Sequence, residues 1–369
     1  MKVVHLTSVH GPFDVRIFHK ECKSLVQAGH KVVLIAPYQT DSIVDGIHIK
    51  AVRLRRKRLA RITLSVCDVF WAALNTKADL YHLHDPELLP VGIILALLGR
   101  KVIYDVHEDV PKDILGKSYL HPVVRRPLAS MVRSIEQLCS RCFYAVIAVT
   151  PNICDRLCKF NRRTITVYNF PRIEELRTGG STASERRTNS VAYVGGIMED
   201  RGILQMIDAV ALLPSVTLEL AHPEFPSDLY KTACTKPGWT RVQDHGHLDR
   251  AAIAHLLGTV RAGLVLFHPL PNNVAAMPHK MFEYMAAGLP VIASDFPEWR
   301  KVIGSLRCGI LVNPLDPKAI ADAILYILDN PLEARLMGQA GRDAVERDYN
   351  WQAEERKLLD LYCGCSSSH

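Results

Sequence analysis

Short apolar runs alternate with segments of helical period along most of the chain. Val3–Leu6 reads as a buried strand and Val15–Ala28 as a helix closed by Gly29. Lys31–Ala36 reads as the next strand, stopped by Pro37. Asp79–His82, Val102–Asp105 and Tyr144–Val149 read as further strands, with helices over Glu87–Leu98 and Pro127–Cys139. The pattern lapses at Pro171–Ser190, where Arg177–Ser190 is polar and rich in Gly, Ser and Thr, as a linker is. It then restarts. Val191–Val194, Val216–Ala221, Gly263–Phe267 and Pro290–Ser294 read as strands. Gly202–Leu213, Arg250–Leu257, Met281–Ala287, Pro317–Asp329 and Pro331–Asp348 read as helices. A last helix is expected over Trp351–Tyr362, followed by a disordered tail from Cys363.

Strand–helix repetition of this kind builds mostly parallel sheets with helices on both faces. The expected fold is α/β, with two doubly wound, Rossmann-like domains. Residues 1–171 form the first and 172–350 the second, while 351–369 supply a helix that packs back on the first domain. Such sheets bind ligands beyond the carboxyl ends of their strands, so a cleft faced by both domains is the expected site.

Composition narrows the class. Of 369 residues, 48% are hydrophobic and 22% charged, which excludes wholesale disorder. The longest apolar stretch, Leu88–Leu98, is far short of the roughly 20 residues of a spanning helix. The opening strand reaches His10 and Gly11 too soon for a signal peptide, so a cytoplasmic location is expected. Cys139-x-x-Cys142 and Cys154-x-x-x-Cys158 superficially resemble zinc-ligand spacing. A strand intervenes between the pairs, so thiols without metal are expected.

Charge is uneven. Residues 1–171 hold 25 Lys and Arg against 14 Asp and Glu, and the remainder 20 against 24. A basic first half suits an anionic partner, either a membrane surface or a phosphate-bearing acceptor. No nucleic-acid motif accompanies it. Arg53–Arg61 holds six basic residues in nine, beside Ile62, Leu64, Val66, Val69, Phe70 and Trp71; Lys112, Lys117, Arg125 and Arg126 follow. Two readings stand open: attachment to an anionic membrane, or a solvated loop beside a core helix.

The richest segment for chemistry is Pro278–Asp295. It places Lys280 and Glu283 in the first turn of a helix, where free N–H groups and a positive dipole end receive phosphate. Glu283 offers two acceptor oxygens that match the vicinal hydroxyls of a ribose. An ordinary capped helix with exposed charges is the competing reading. In Tyr193–Gly202, the pair Gly195–Gly196 after a strand permits close approach to the backbone, and Arg201 at a helix entrance can grip phosphate. The glycine spacing fits neither a dinucleotide fingerprint nor a P-loop. His107 and Glu108 follow a first-domain strand. Asp105 with Glu108 invites a two-carboxylate hydrolase reading without establishing its geometry. In Gly11–Arg16, Gly11 is a candidate for close backbone approach, and Arg16 is equally readable as a helix-start charge.

These segments resemble glycosyltransferase family 4, the group 1 glycosyltransferases of the GT-B fold. The likeness runs over nearly the whole chain. It includes Thr7–Arg16, His82–Asp85, Tyr104–Glu108, Tyr168-Asn169 and Tyr349–Trp351. It implies a retaining transfer of a sugar from a nucleotide diphosphate sugar, UDP being the expected nucleotide, without metal or other cofactor. The expected acceptor is a glycan or a lipid-linked sugar, met at the inner face of the plasma membrane. By the same likeness, Glu283 holds the donor ribose, Arg201 and Lys280 the diphosphate, and His107 faces the donor sugar. Gly11, Gly195, Gly196, Asn273, Met281 and Phe282 line the donor, while Glu108 and Asp109 lie on the acceptor side.

Two positions depart from the family pattern. Ala275 stands where the first glutamate of the motif belongs, leaving Asn272, Asn273 or the N–H groups of 274–277 to replace it. Gly196 stands at the usual basic position of the diphosphate loop, which leaves more charge to Arg201 and Lys280. A sugar-nucleotide epimerase and a non-catalytic glycan-binding relative are the competing functions.

Overall fold

The computed structural model describes residues 1–55, 60–116, 120–176 and 188–366. The chain divides into two compact units, Met1–Asn169 with Gln352–His369, and Phe170–Trp351. Most of the stretch read as a linker, together with Lys117 and residues 56–59 of the Arg53–Arg61 run, lies outside the described residues.

The first unit is built on eight strands: β1 (Lys2–Leu6), β2 (Lys31–Pro37), β3 (Ser42–Val44), β4 (Ile47–Val52), β5 (Leu80–Leu83), β6 (Lys101–Val106), β7 (Ala145–Ala148) and β8 (Thr164–Thr166). Their order in the sheet is β3-β4-β2-β1-β5-β6-β7-β8. All neighbours are parallel except β3 and β4, an antiparallel pair. The direction of winding reverses between β1 and β5, so the ends of these strands form a topological switch point. Val4, Leu6, Tyr81, Leu83, Val102, Tyr104 and Val146 pack one face against helices that include Val66–Thr76 and Leu89–Leu97.

The second unit has β9 (Ser190–Val194), β10 (Thr217–Ala221), β11 (Val242–Asp244), β12 (Ala262–Val265), β13 (Val291–Ser294) and β14 (Gly309–Val312), in the order β11-β10-β9-β12-β13-β14, all parallel. Its switch point lies between β9 and β12. Val191, Tyr193, Leu218, Leu220 and Leu264 pack with Ile203, Met206, Ile207 and Val210 of helix Ile203–Ala211. The fold of each unit is the doubly wound α/β arrangement expected.

Three elements differ from expectation. The helix placed at Pro127–Cys139 spans Pro122–Cys142; Pro122 begins it, where a missing N–H costs nothing, and the His121 side chain accepts from Val123. The segment Val15–Cys22 opens with wide π-helical turns, with Asp14 capping Arg16 and Ile17. The last helix runs Trp351–Ser366, so Cys363–Ser366 are helical rather than disordered. That helix returns to the first sheet, where the Tyr362 hydroxyl lies 2.6 Å from His82 Nδ1 and Cys365 O accepts from Lys101. The cysteines are all free thiols, and no cysteine joins a potential metal cluster among the described residues.

Candidate functional site

In the second unit, Gly195 ends β9 with φ of +126°, a conformation that side chains resist. A Cβ built there would meet Lys280 Nζ at 3.0 Å. Lys280 follows His279 at the start of helix His279–Ala286, and is buried. Its Nζ stands 3.7 Å from the centre of the Tyr193 ring and 5.6 Å from that of Phe267. Arg201, in the turn Glu199–Arg201, stacks on the other ring, its guanidinium 4.6 Å from the Phe267 centroid. Neither Lys280 Nζ nor Arg201 Nε has a hydrogen-bond partner among the described residues. Burial, and then the Arg201 charge, hold the Lys280 ammonium well below the usual lysine range, Glu283 opposing. Arg201 and Lys280 are thus held against aromatic faces, with no carboxylate bonded to either among the described residues. Packing on the rings fixes both, and an incoming anion would supply a countercharge to Arg201 and favour the protonated form of Lys280.

Glu283 lies one turn further along the helix, buried, with Oε1 accepting from Arg250 Nη1 at 2.7 Å. Arg250 Nε in turn donates to Glu175 at 3.0 Å. The carboxylate is therefore held in place by Arg250, with His279 Nε2 3.9 Å from Oε2. Tyr284 braces the same helix, its hydroxyl accepting from Val194 N–H at 2.8 Å.

Several expected donor residues have other tasks. Met281 and Phe282 are core residues: Phe282 packs edge-on to Phe170 at 4.7 Å and beside Tyr349, and Met281 N–H donates to Pro278 O. Asn273 is buried and gives its amide to Asp200 Oδ2 at 2.9 Å and His268 O at 3.2 Å. The N–H groups of Val274 and Ala276 donate to Leu270 O and Asn273 O. They are not free to stand in for a glutamate at Ala275. Gly196 and Gly11 have no atom within 4 Å of a built Cβ, so no close contact within the protein requires a glycine there.

The first unit gathers a second polar constellation at its switch point. Strand alternation puts His82 and His84 on one face of β5, and the register sets His5 of β1 against His82. Arg16, buried, forks onto Asp105 through Nε to Oδ2 (2.7 Å) and Nη2 to Oδ1 (2.9 Å), and donates to Val167 O. Arg16 is thus a core ion-pair member, not a helix-start charge. His107 Nε2 lies 2.8 Å from Asp105 Oδ2, and His84 Nδ1 3.2 Å from His107 Nε2. Donation by Nε2–H to the carboxylate leaves His107 Nδ1 as the acceptor nitrogen.

Burial would raise Asp105, but Arg16 and His107 hold it well below the carboxylate range. It is a sealed anion, which removes the two-carboxylate reading with Glu108. Burial, with Asp105 adding to it, pushes Glu21 well above its usual value. Burial and neighbouring histidines lower His5 and His82, and burial foremost lowers His84 to about 4. The cluster is therefore one ion pair inside neutral groups. His5, Glu21, His82 and His84 approach one another closely enough to suggest a metal. Within this group His5 Nδ1 and His84 Nε2 lie 2.8 Å apart, one donating to the other, so two of those ring nitrogens already have each other as partners.

At the rim of this cluster, His10 lies 3.4 Å from Asp85 and 3.5 Å from Asp14. Burial opposes its charge, but both carboxylates outweigh it and raise the imidazole to about 9. Glu108 is exposed. Asp109 is buried beside Lys112 (3.3 Å) and Arg156 (3.7 Å) and begins the helix Val110–Gly116. Tyr193, Phe267 and Arg250 in one unit, and His5, Glu21 and Asp85 in the other, escaped the sequence reading. The His82-x-His84 alternation was the one available signal.

Two parallel-sheet units, each with a polar switch point, define the doubly wound class of nucleotide-binding folds. Residues 15–173 match Glycosyltransferase Family 4 and residues 180–344 match Glycosyl transferases group 1, and the chain belongs to this GT-B family of glycosyltransferases. It is similar to glycogen synthase of Mycobacterium tuberculosis, with 26% identity over 175 residues, 46% of this chain and 41% of that protein. The match thus spans about two fifths of that curated relative. Sucrose-phosphate synthase from Thermosynechococcus elongatus shares the fold over 100% of both chains, with a TM-score of 0.80 and 19% identity. HepE of Anabaena, solved in complex with UDP-glucose, shares it over 99% of this chain and 100% of its own, with a TM-score of 0.74 and 16% identity.

Proposed function

We propose that the protein is a retaining, metal-independent glycosyltransferase that moves a hexosyl group from a UDP-sugar to a glycan or lipid-linked acceptor, as in cell-surface polysaccharide assembly. The observation that carries this is the pair Arg201 and Lys280, held on aromatic faces with no carboxylate bonded to either among the described residues. Cleavage of the glycosyl–phosphate bond builds negative charge on the leaving diphosphate. Prepositioned Arg201, joined by Lys280 as it takes up a proton, stabilises that charge without a metal ion. Glu283, anchored by Arg250, takes the ribose hydroxyls. Gly195 lets the backbone run beside the phosphates, and Gly196 leaves the charge to Arg201 and Lys280. In the first unit the half-buried His107, oriented by Asp105, serves the sugar or the acceptor, and Glu108 and Asp109 lie on the acceptor side. The acceptor is read as membrane-associated, on the cytoplasmic face.

A panel of nucleotide sugars tests this. Acceptor-dependent release of UDP in the presence of EDTA is expected. Release with an epimerised sugar and no acceptor would make the protein an epimerase, and binding without turnover a glycan-binding relative, for which Ala275 speaks. Arg201→Ala should cut turnover at least about tenfold and Glu283→Ala should weaken nucleotide binding. Unchanged kinetics in both variants removes the assigned pocket.

A further inference from the structure

Helix Pro122–Cys142 carries an apolar line that the core of its unit does not use. Its inward side chains are Ala129, Glu136, Cys139 and Ser140. At 3.6 residues per turn, Val124, Met131, Ile135 and Leu138 fall on a second line, about a third of a turn away and about 21 Å long. They are exposed by 50%, 53%, 44% and 60% respectively. The remaining third of the helix presents Arg126, Arg133 and Arg141, all exposed. The helix has one acidic residue, Glu136, and it is buried with Arg156 as its partner. The adjoining helix Leu89–Leu97 packs against this one and ends in Leu97 and Leu98, exposed by 82% and 57%.

We propose that this helix is a docking surface for an anionic lipid bilayer. It lies in the plane of the interface, with its aliphatic line in the headgroup–acyl boundary and its arginines on lipid phosphates. Charge favours this occupant over a second copy of the chain. A symmetric contact would bring two sets of arginines together with no exposed carboxylate on the helix to pair with them. The proposal rests on the reading of a membrane-associated acceptor and gives it a physical surface, distinct from the basic run at Arg53–Arg61.

The test is flotation of the full chain with phosphatidylcholine vesicles, with and without phosphatidylglycerol, with UDP affinity measured in parallel. The wild type should float only with anionic vesicles, and less at high salt. The triple variant Met131→Glu, Ile135→Glu, Leu138→Glu should keep its melting temperature and UDP affinity and lose flotation. The variant Arg126→Gln, Arg133→Gln, Arg141→Gln should partition about a hundredfold less. Failure of the wild type to bind anionic vesicles, or flotation of both variants like the wild type, overturns the proposal. So does a dimer that the triple variant dissolves, without vesicle binding. Intact UDP binding without flotation sinks this inference alone; flotation without UDP binding sinks the proposed function alone.

Discussion

Binding of UDP should draw about one proton onto Lys280. In the free protein its amine is buried on the Tyr193 ring, 3.7 Å from the centroid, and its pKa is held well below the lysine range chiefly by burial. A phosphate charge placed about 4 Å from the amine would favour its protonated form by about 4 kcal/mol at an effective dielectric of about 20. Binding therefore moves the Lys280 pKa back up, towards the ordinary lysine range. Between the free and bound values, affinity falls about tenfold per pH unit as pH rises, because each binding event must capture a proton from a scarcer supply. The terminal phosphate of the nucleotide titrates near pH 6, so uptake measured well above that pH belongs to the protein. Calorimetry in buffers of different ionisation heat counts the protons. Lys280→Met keeps the apolar stem and should bind more weakly with no uptake. A wild-type heat independent of buffer, or the same proton count in Lys280→Met, refutes the reasoning.

Three further outcomes follow from the same geometry. Gly195→Ala forces a side chain into φ +126° and toward Lys280 Nζ, a strain of about 1–3 kcal/mol; UDP affinity should fall about tenfold or more, and unchanged titrations would remove the cause. Arg16→Ala strands Asp105 in the core, and denaturant unfolding should show a loss of about 3–5 kcal/mol, whereas a loss under about 1 kcal/mol would contradict the buried pair. His10 is raised in the folded state, so its contribution to stability is complete below about pH 6.5 and is lost as pH rises through about 9. The melting-temperature gap between the wild type and His10→Asn should therefore close across that window, and a constant gap would exclude the ion pairs with Asp14 and Asp85.

The alternation of apolar runs made the central strands of both sheets legible, because β1, β5, β6, β7, β9, β12 and β13 are buried on both faces and need continuous apolar sequence. The edge strands β3 and β8 and the edge strand β14 are half-buried stretches of three or four residues, with no run long enough to stand out. Helix Pro122–Cys142 begins ahead of the expected Pro127, since Pro122 holds the first-turn position that suits proline and Pro127 lies inside the helix. In the second unit the family block exposed Lys280 and Glu283, and the loop exposed Arg201. It also suggested Met281 and Phe282, which a helix pointing both ways from its first turn sends into the core.

What stayed hidden depends on register. Arg16 and Asp105 are 89 residues apart, and His82 and Tyr362 are 280 apart. No local pattern links them; they meet through the pairing of β1, β5 and β6 and the return of the last helix to that sheet. A slip of one residue would turn His5 to the opposite face of the sheet and leave its partners unsatisfied in the interior. The apolar residues of β1 and β5 would tolerate that slip far better, since both faces are buried and Val, Leu and Tyr suit either. The buried histidines therefore select the β1–β5 register that hydrophobic pattern leaves open. Asp105 on β6, fixed by Arg16, in turn holds His107 Nε2 at 2.8 Å.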